Sequence, residues 1–256
     1  RGIDGVTVGE ALRKIGYDGP APVGNNRVDS YVELHIEQGP VLDEEGLTIG
    51  VVEGVQGISW TEFQLQGVSN HAGTTPMRLR RDAGYVAARI GVFARQLAQE
   101  LGGDQVATVG HVVFNPNLVN VIPEIVTLTV DLRNTDAQVL RQAEQDLWAF
   151  AAQAAEEEGV ALSRKTLARF EPTRFAPDMV ALIAEQVRER GLPSRRMPSG
   201  AGHDAQIMAT ICPAGMIFVP SRAGLSHNIQ EFTAPQDLIA GANVLLGVVI
   251  QRADRA

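Results

Sequence analysis

Five histidines, His35, His71, His111, His203 and His227, carry the first signs of chemistry, and four of them stand in polar or glycine-rich surroundings. An imidazole moves protons and ligates metals near neutral pH, and its neighbours decide which ring nitrogen is free to do so. His35 ends an apolar strand and opens into Glu37-Gln38-Gly39-Pro40, which puts it at a strand's C-terminal edge, where open α/β sheets build their sites. A structural role is an equal reading of that residue taken alone. His227, in Ser226-His227-Asn228, lies in a loop whose neighbours can fix an imidazole tautomer as a metal site requires; alone, it reads as a solvated loop histidine. His71 stands in the donor-rich run Ser69-Asn70-His71-Ala72-Gly73-Thr74-Thr75-Pro76, either a reacting group or a helix-entry turn. His203 closes Ser199-Gly200-Ala201-Gly202-His203, where glycines let backbone N–H groups approach a ligand and a helix start favours an anion. As a glycine loop that signal is weak. His111, between Gly110 and Val112 in a strand, belongs to sheet packing or the surface.

Arg133 projects from the polar face of an alternating strand, and Asn120 precedes Val121-Ile122-Pro123 in the connection leading into it. A fixed guanidinium fork with a nearby amide suits a carboxylate ligand; otherwise Arg133 is a solvated charge paired with Asp131. Glu156, Glu157 and Glu158 read as a solvated helix end. No glycine pattern has the spacing of a dinucleotide or P-loop site and no Gly-x-Ser-x-Gly elbow is present, so nucleotide and serine-hydrolase chemistry fall away.

These groups need elements to hold them. Between residues 58 and 170 the apolar period switches between two and 3.6 in the order strand, helix, strand, strand, helix, strand. The strands span 58–66, 106–114, 126–132 and 160–170, and amphipathic helices span 78–101 and 136–158. This is the split βαβ pattern of a two-layer α+β unit. The flanks carry short apolar strands, 31–36, 47–52 and 216–219, set among helices whose starts are marked by Thr7 with Glu10, by Asp178, and by Thr233 with Gln236. The expected organisation is an α/β domain from 1–56 and 172–256 with the α+β unit, 57–171, inserted. The flanks total about 140 residues, thin for a doubly covered sheet, and the larger domain is expected to be truncated at its N-terminus.

With 256 residues, 45% of them hydrophobic, the chain can bury one or two ordinary cores. Acidic residues outnumber basic ones 30 to 22, the wrong sign for phosphate backbones or anionic lipid. Nucleic acid and membrane are therefore not expected as partners. The single cysteine, Cys212, makes no intrachain disulfide, and the longest apolar stretch, 238–250, is interrupted by Asn243 and too short to span a bilayer. A cytoplasmic chain is expected. It starts at Arg1 with no charged-then-apolar leader.

Taken in order, ELHIEQGP (33–40), GVVEGVQGISW (50–60), SNHAGTTPM (69–77), NLVNVIP with DLR (117–133), SGAGHDAQ (199–206) and SHN (226–228) resemble the amidase, hydantoinase/carbamoylase family. That family holds N-carbamoyl-L-amino-acid hydrolases, β-ureidopropionases and allantoate amidohydrolases, within the clan of dinuclear-metal aminoacylases and carboxypeptidases. The resemblance covers essentially the whole chain. It implies an α/β catalytic domain with an inserted α+β (βαββαβ) lid that also forms a homodimer, lid groups reaching into the partner's site. It implies that His35 ligates one metal ion and His227 the other, with zinc, manganese or cobalt as occupants, all suited to imidazole. It makes Gln38, His71, Asn120 and Arg133 contacts to a small carbamoyl or ureido acid, Arg133 and Asn120 holding its carboxylate and His71 polarising its ureido carbonyl. Gly202 adds a backbone contact.

The family pattern also needs a His-x-Asp, a bridging aspartate and a Glu-Glu pair upstream of the segment corresponding to Arg1. The expectation is therefore the C-terminal portion of such an enzyme, binding metal weakly or not at all and inactive alone, since those groups supply the remaining ligands and the base that activates water. Two other readings stand beside it. One is a non-catalytic dimerisation or binding module whose histidine loops are relics. The other is an aminoacylase or dipeptidase of the same clan, against which His35 argues, because those relatives commonly carry a carboxylate there.

Overall fold

The computed structural model describes residues 5–22, 24 and 27–254; Arg1, where the sequence starts, and the last two residues lie outside them. The chain opens with α1 (Val8–Lys14), β1 (Tyr31–Ile36), α2 (Val41–Glu45) and β2 (Ile49–Val55). The capping box expected at Thr7 and Glu10 is formed in full: Thr7 Oγ1 accepts from the Glu10 N–H at 3.3 Å and Glu10 Oε2 accepts from the Thr7 N–H at 2.8 Å. From β2 the backbone passes through Gln56 directly into β3 (Gly57–Gln66). Then follow β4 (Asn70–His71), α3 (Ala83–Leu101), β5 (Val106–Asn115), β6 (Val121–Ile122), β7 (Ile125–Asn134), α4 (Ala137–Glu158) and β8 (Ala161–Phe170). The chain returns through β9 (Thr173–Arg174) to α5 (Pro177–Glu189), β10 (Ser194–Ser199), α6 (Asp204–Met208), β11 (Ala214–Val219) and α7 (Pro235–Ala253).

The flanking segments build one mixed sheet in the order β1-β11-β2-β10, with β9 added beside β2. β1 and β11 are parallel, as are β2 and β10, while β11 and β2 run antiparallel. The apolar runs of β2 and β11 are buried almost throughout, as strands covered on both faces must be. Ile49, Val51, Met216 and Phe218 share one cluster with Met179 and Ile183 of α5 and Val244 and Val248 of α7.

The second sheet is antiparallel in the order β5-β7-β3-β8. β7 buries Val126, Leu128, Val130 and Leu132 and leaves Thr127, Thr129, Asp131 and Arg133 half-buried on the other face, the alternation expected for a strand with one wet side. Under the buried face, α3 contributes Val86, Ala87, Ile90, Ala94 and Leu97, and α4 contributes Leu140, Ala143, Leu147 and Ala151, each set at helical spacing.

Three helix starts differ from the sequence expectation. The helix expected from residue 78 opens at Ala83, because Asp82 caps it by accepting from the Tyr85 N–H at 3.0 Å, and residues 77–79 form a separate 3-10 turn after Pro76. Asp178 and Thr233 do not cap α5 and α7. Those helices begin with Pro177 and Pro235, whose fixed φ is already helical and whose missing N–H needs no partner there. Thr233 Oγ1 instead donates to the Pro220 carbonyl at 2.8 Å.

The two cores meet where β2 hands over to β3. A Cβ on Gly57 would lie 2.7 Å from Pro172 Cδ and 2.8 Å from Leu140 Cδ2, so only glycine lets the outgoing and returning strands cross this closely. Next to it the Gln56 N–H donates to the Ser199 carbonyl at 2.9 Å, and Gln56 Nε2 donates to the Asp104 carbonyl at 3.1 Å. No helix among the described residues is long and apolar enough to cross a membrane.

Leu128 is fully buried in the second core. Leu128→Ala is expected to cost about 2–5 kcal/mol of stability, read as a lower urea midpoint at an unchanged denaturant slope. A change below about 1 kcal/mol would contradict the packing described, since such small effects belong to surface positions.

Candidate active site

Glu33 and His35 are two residues apart on β1 and so project from the same face of the strand. His35 pairs with Phe218 near the C-terminal end of the parallel β1/β11 ladder. His203, immediately before α6, meets them there: its side chain is only 2% exposed, its Nδ1 is 3.7 Å from Glu33 Oε1, and its ring centroid is 4.6 Å from that of His35. One ligand atom from each of Glu33, His35 and His203 lies within 4.8 Å of the other two.

The surrounding hydrogen bonds fix the protons. His35 Nδ1 is 2.8 Å from the Ile36 carbonyl oxygen and must donate to it, leaving Nε2 with a free lone pair. Ser199 Oγ gives its single proton to the Ala201 carbonyl at 2.9 Å, so His203 Nε2, 2.8 Å from that oxygen, is the donor and His203 Nδ1 keeps its lone pair. Glu33 Oε2 accepts from the Ala205 N–H at 2.8 Å and from the Tyr31 hydroxyl at 3.4 Å. The start of α6, expected to favour an anion, therefore already has one in the Glu33 carboxylate. His203 thus turns an unprotonated nitrogen to Glu33 Oε1, His35 keeps one on the same group of three, and each ring is steadied through its other nitrogen. That donor chemistry fits a divalent cation. Burial pulls the His203 imidazole down from 6.5 to about 4, helped by the neighbouring His35 ring and opposed by Asp204. Burial, and then the Glu33 charge, raise the Tyr31 hydroxyl.

His227 stands in a different group. Its Nε2 is 3.2 Å from Gln38 Nε2, which also donates to Ser226 Oγ at 3.0 Å. The Gln38 backbone N–H is held by Ser221 Oγ at 3.0 Å, and the His227 N–H by Glu231 Oε2 at 3.0 Å. Both Gln38 (φ 58°) and His227 (φ 55°) adopt the left-handed backbone, which costs a non-glycine residue roughly 1–2 kcal/mol and clusters at functional positions. Beside them Gly224, at φ 68°, passes so close to Pro40 that a Cβ would lie 2.7 Å from its nitrogen.

The inserted unit contributes the remaining expected residues in two places. His71 and Asn120 sit together on the exposed β4/β6 arm, where His71 pairs with Val121 and the Ala72 N–H donates to the Asn120 carbonyl at 2.9 Å. His71 Nδ1 accepts from the N–H groups of Gly73 (3.0 Å) and Thr74 (3.3 Å), so the ring proton is on Nε2. Arg133 lies on the open face of β7 and spans the two cores. Its Nε is 3.0 Å and its Nη2 2.7 Å from Asp131 Oδ2, while Nη1 donates to the Gly200 carbonyl. Gly202 lies in the same 199–203 loop.

Sequence reading gave no ligand role to Glu33 or His203. The i, i+2 spacing of Glu33 and His35 on a strand was the available signal; the approach of His203 depends on the parallel pairing of distant segments.

This mixed sheet with its inserted α+β layer, and with histidine donors gathered at a strand end, has clear relatives. Residues 7–251 match the model of Peptidase family M20/M25/M40, and the chain belongs to that family. Within it the chain is 38% identical over 251 residues to an N-carbamoyl-L-amino-acid amidohydrolase of Rhizobium meliloti, covering 98% of this chain and 60% of that one. It is 40% identical over 246 residues to an allantoate amidohydrolase of Escherichia coli K12, covering 95% and 60%. A crystal structure of an amidase of the hydantoinase/carbamoylase family from Burkholderia multivorans superposes with a TM-score of 0.93 at 41% identity, over 99% of this chain and 62% of that one. The chain thus spans about three fifths of the length of these relatives, and the resemblance drawn from its motifs holds.

The shift of His203 has a direct consequence for stability. Its folded value, about 4, lies below the unfolded 6.5, so its contribution is full above pH 6.5 and is lost as pH falls toward 4. In metal-free protein the urea midpoint should fall across that window, and His203→Asn should flatten the fall. Equal slopes in the two proteins would contradict the burial of a neutral imidazole.

Proposed function

We propose that this chain serves metal-dependent hydrolysis of the carbamoyl or ureido C–N bond of N-carbamoyl-L-amino acids or related ureido acids. The observation that carries the reading is the gathering of ligand atoms of Glu33, His35 and His203 within 4.8 Å of one another at the end of β1. It is supported by relatives named for N-carbamoyl-amino-acid and allantoate hydrolysis. Imidazole and carboxylate suit zinc, manganese or cobalt; His35, with Glu33 and His203 beside it, would hold one ion, and His227, once released by Gln38, the other. Bound divalent metal supplies Lewis acidity and activates water at neutral pH.

The chain's own groups do the rest. His71 presents its Nε2–H, because two backbone N–H groups occupy Nδ1; aimed at a ureido carbonyl, that donor strengthens as negative charge develops on the oxygen. Arg133 and Asn120 hold the substrate carboxylate, with Gln38 and a backbone contact at Gly202 completing the pocket. Three gathered donors fall short of two full ligand sets, so the 256 residues by themselves are proposed to bind metal weakly and to turn over no substrate.

Zinc titration by calorimetry tests the centre: His35→Ala and His203→Asn should each weaken binding at least tenfold, about 1.4 kcal/mol or more. Unchanged affinity in both variants would remove the metal site from this strand end. Ammonia release from ureido substrates, stopped by a chelator and restored by metal, is the activity expected of the complete enzyme. Cleavage confined to N-acyl substrates would favour an aminoacylase, and turnover of neither class a binding module.

Homodimerisation through the inserted unit belongs to the same proposal. β5 is an outer strand of its sheet, and Val106, Val112, Val113 and Phe114 are exposed along it, an apolar edge that a second copy would cover. Sedimentation should give a dimer, and Val113→Asp with Phe114→Asp a monomer that keeps its helical content; a monomeric starting protein would refute this interface.

A further inference from the structure

We propose that Asp131 is the positioning residue of the carboxylate pocket: without touching substrate, it sets the Arg133 fork so that acids are preferred over amides. This rests on the reading of Arg133 as the carboxylate contact.

Asp131 and Arg133 are two apart on β7 and share its open face. The carboxylate grips the guanidinium along one side, with Nε 3.2 Å from Oδ1 and 3.0 Å from Oδ2 and Nη2 2.7 Å from Oδ2. The Gly200 carbonyl takes one proton of Nη1. Arginine has five N–H bonds in a planar fork, and these contacts use one from each nitrogen. Two N–H bonds are left over, one on Nη1 and one on Nη2; with the Gly200 carbonyl on the Cδ side of Nη1 they form the end-on pair that a ligand carboxylate takes together. The side chains of Arg133 and Asp131 are 23% and 26% exposed, so the pair is partly open to a ligand.

The ion pair changes what Arg133 selects. An unpaired, mobile arginine attracts any anion through its charge. Here Asp131 cancels the charge locally and freezes the fork, so the remaining attraction depends on a partner with two oxygens in one plane at hydrogen-bonding distance. A carboxamide offers one acceptor and turns an N–H toward the fork. Gly200 adds the second fixed point: it lies in the loop that carries His203, so the fork keeps one position relative to the histidine group although Arg133 comes from the other core.

The test is a calorimetric comparison of two probes, N-carbamoyl-L-alanine and its carboxamide, on the 256-residue chain with saturating zinc at two salt concentrations. The unmodified chain should bind the acid at least tenfold tighter than the amide, with little dependence on salt. In Asp131→Asn, which keeps the size of the side chain and so the fold, and in Asp131→Ala, the preference should fall at least fivefold. Acid binding in both variants should become markedly more sensitive to salt, because Arg133 is then an uncompensated mobile charge; a merely structural role for Asp131 would not move the salt dependence. If Asp131→Asn keeps the preference and its salt response while Arg133→Ala abolishes the preference, Asp131 positions nothing and the proposal fails. If the unmodified chain binds both probes alike, or neither, or if Arg133→Ala keeps the preference, the carboxylate reading of Arg133 fails with it.

Discussion

The close crossing of two backbone strands at Gly57 and Pro172 is the constraint on which the rest of the molecule depends. There the chain leaves one hydrophobic core and enters another with a single residue, Gln56, between β2 and β3, and only a hydrogen fits where a side chain would meet Leu140 and Pro172. Because the crossing is tight, Gln56 reaches the Ser199 carbonyl and Arg133 reaches Gly200. Ser199 in turn holds His203, and His203 faces His35 and Glu33. A continuous series of short contacts therefore runs from the core of the inserted unit to the histidines of the other sheet. Loosening it at either end would move the arginine relative to the imidazoles it has to work with.

Along that series, polar neighbours decide what each histidine can do. The Ile36 carbonyl accepts the proton of His35 Nδ1, and Ser199 Oγ accepts that of His203 Nε2, so each ring keeps a basic nitrogen on its other side, and that of His203 faces Glu33. On the β4/β6 arm the arrangement is reversed: two N–H groups claim His71 Nδ1, and the ring turns an acidic edge outward. Three identical side chains are thereby divided into two electron-pair donors and one proton donor by local geometry alone, without any being required to change its charge.

Much of this was legible in the sequence, and the limits have physical causes. The period of the apolar residues located the four long strands and two long helices of the inserted unit to within a few residues, because each buries one face and the pattern has to record it, whereas β4 and β6 are too short to show a period. Asp178 and Thr233 misled because a capping residue and a proline at the first helical position compete for the same task, and the prolines prevailed at α5 and α7. His35 and Arg133 could be singled out from the chemistry of their surroundings. Glu33 offered only its i, i+2 spacing from His35, and that becomes informative only once His203, brought from far along the chain by the β1/β11 pairing, stands opposite. Asp131 was visible as the partner of Arg133, whereas the use of the Gly200 carbonyl by the same guanidinium depends on how the two cores meet.

The left-handed backbone at Gln38 and His227 bears on how such a chain tolerates drift and engineering. Both residues sit where glycine would be more comfortable, so glycine at either position would relieve strain and raise stability while removing a side chain of the Gln38–Ser226–His227 group. A search for thermally robust variants that screens only for folding would therefore be drawn toward these two positions and would select against the group they form. Robustness and chemistry pull in opposite directions at this one loop contact, whereas in the buried faces of β7 and α3 the same search would encounter no such conflict.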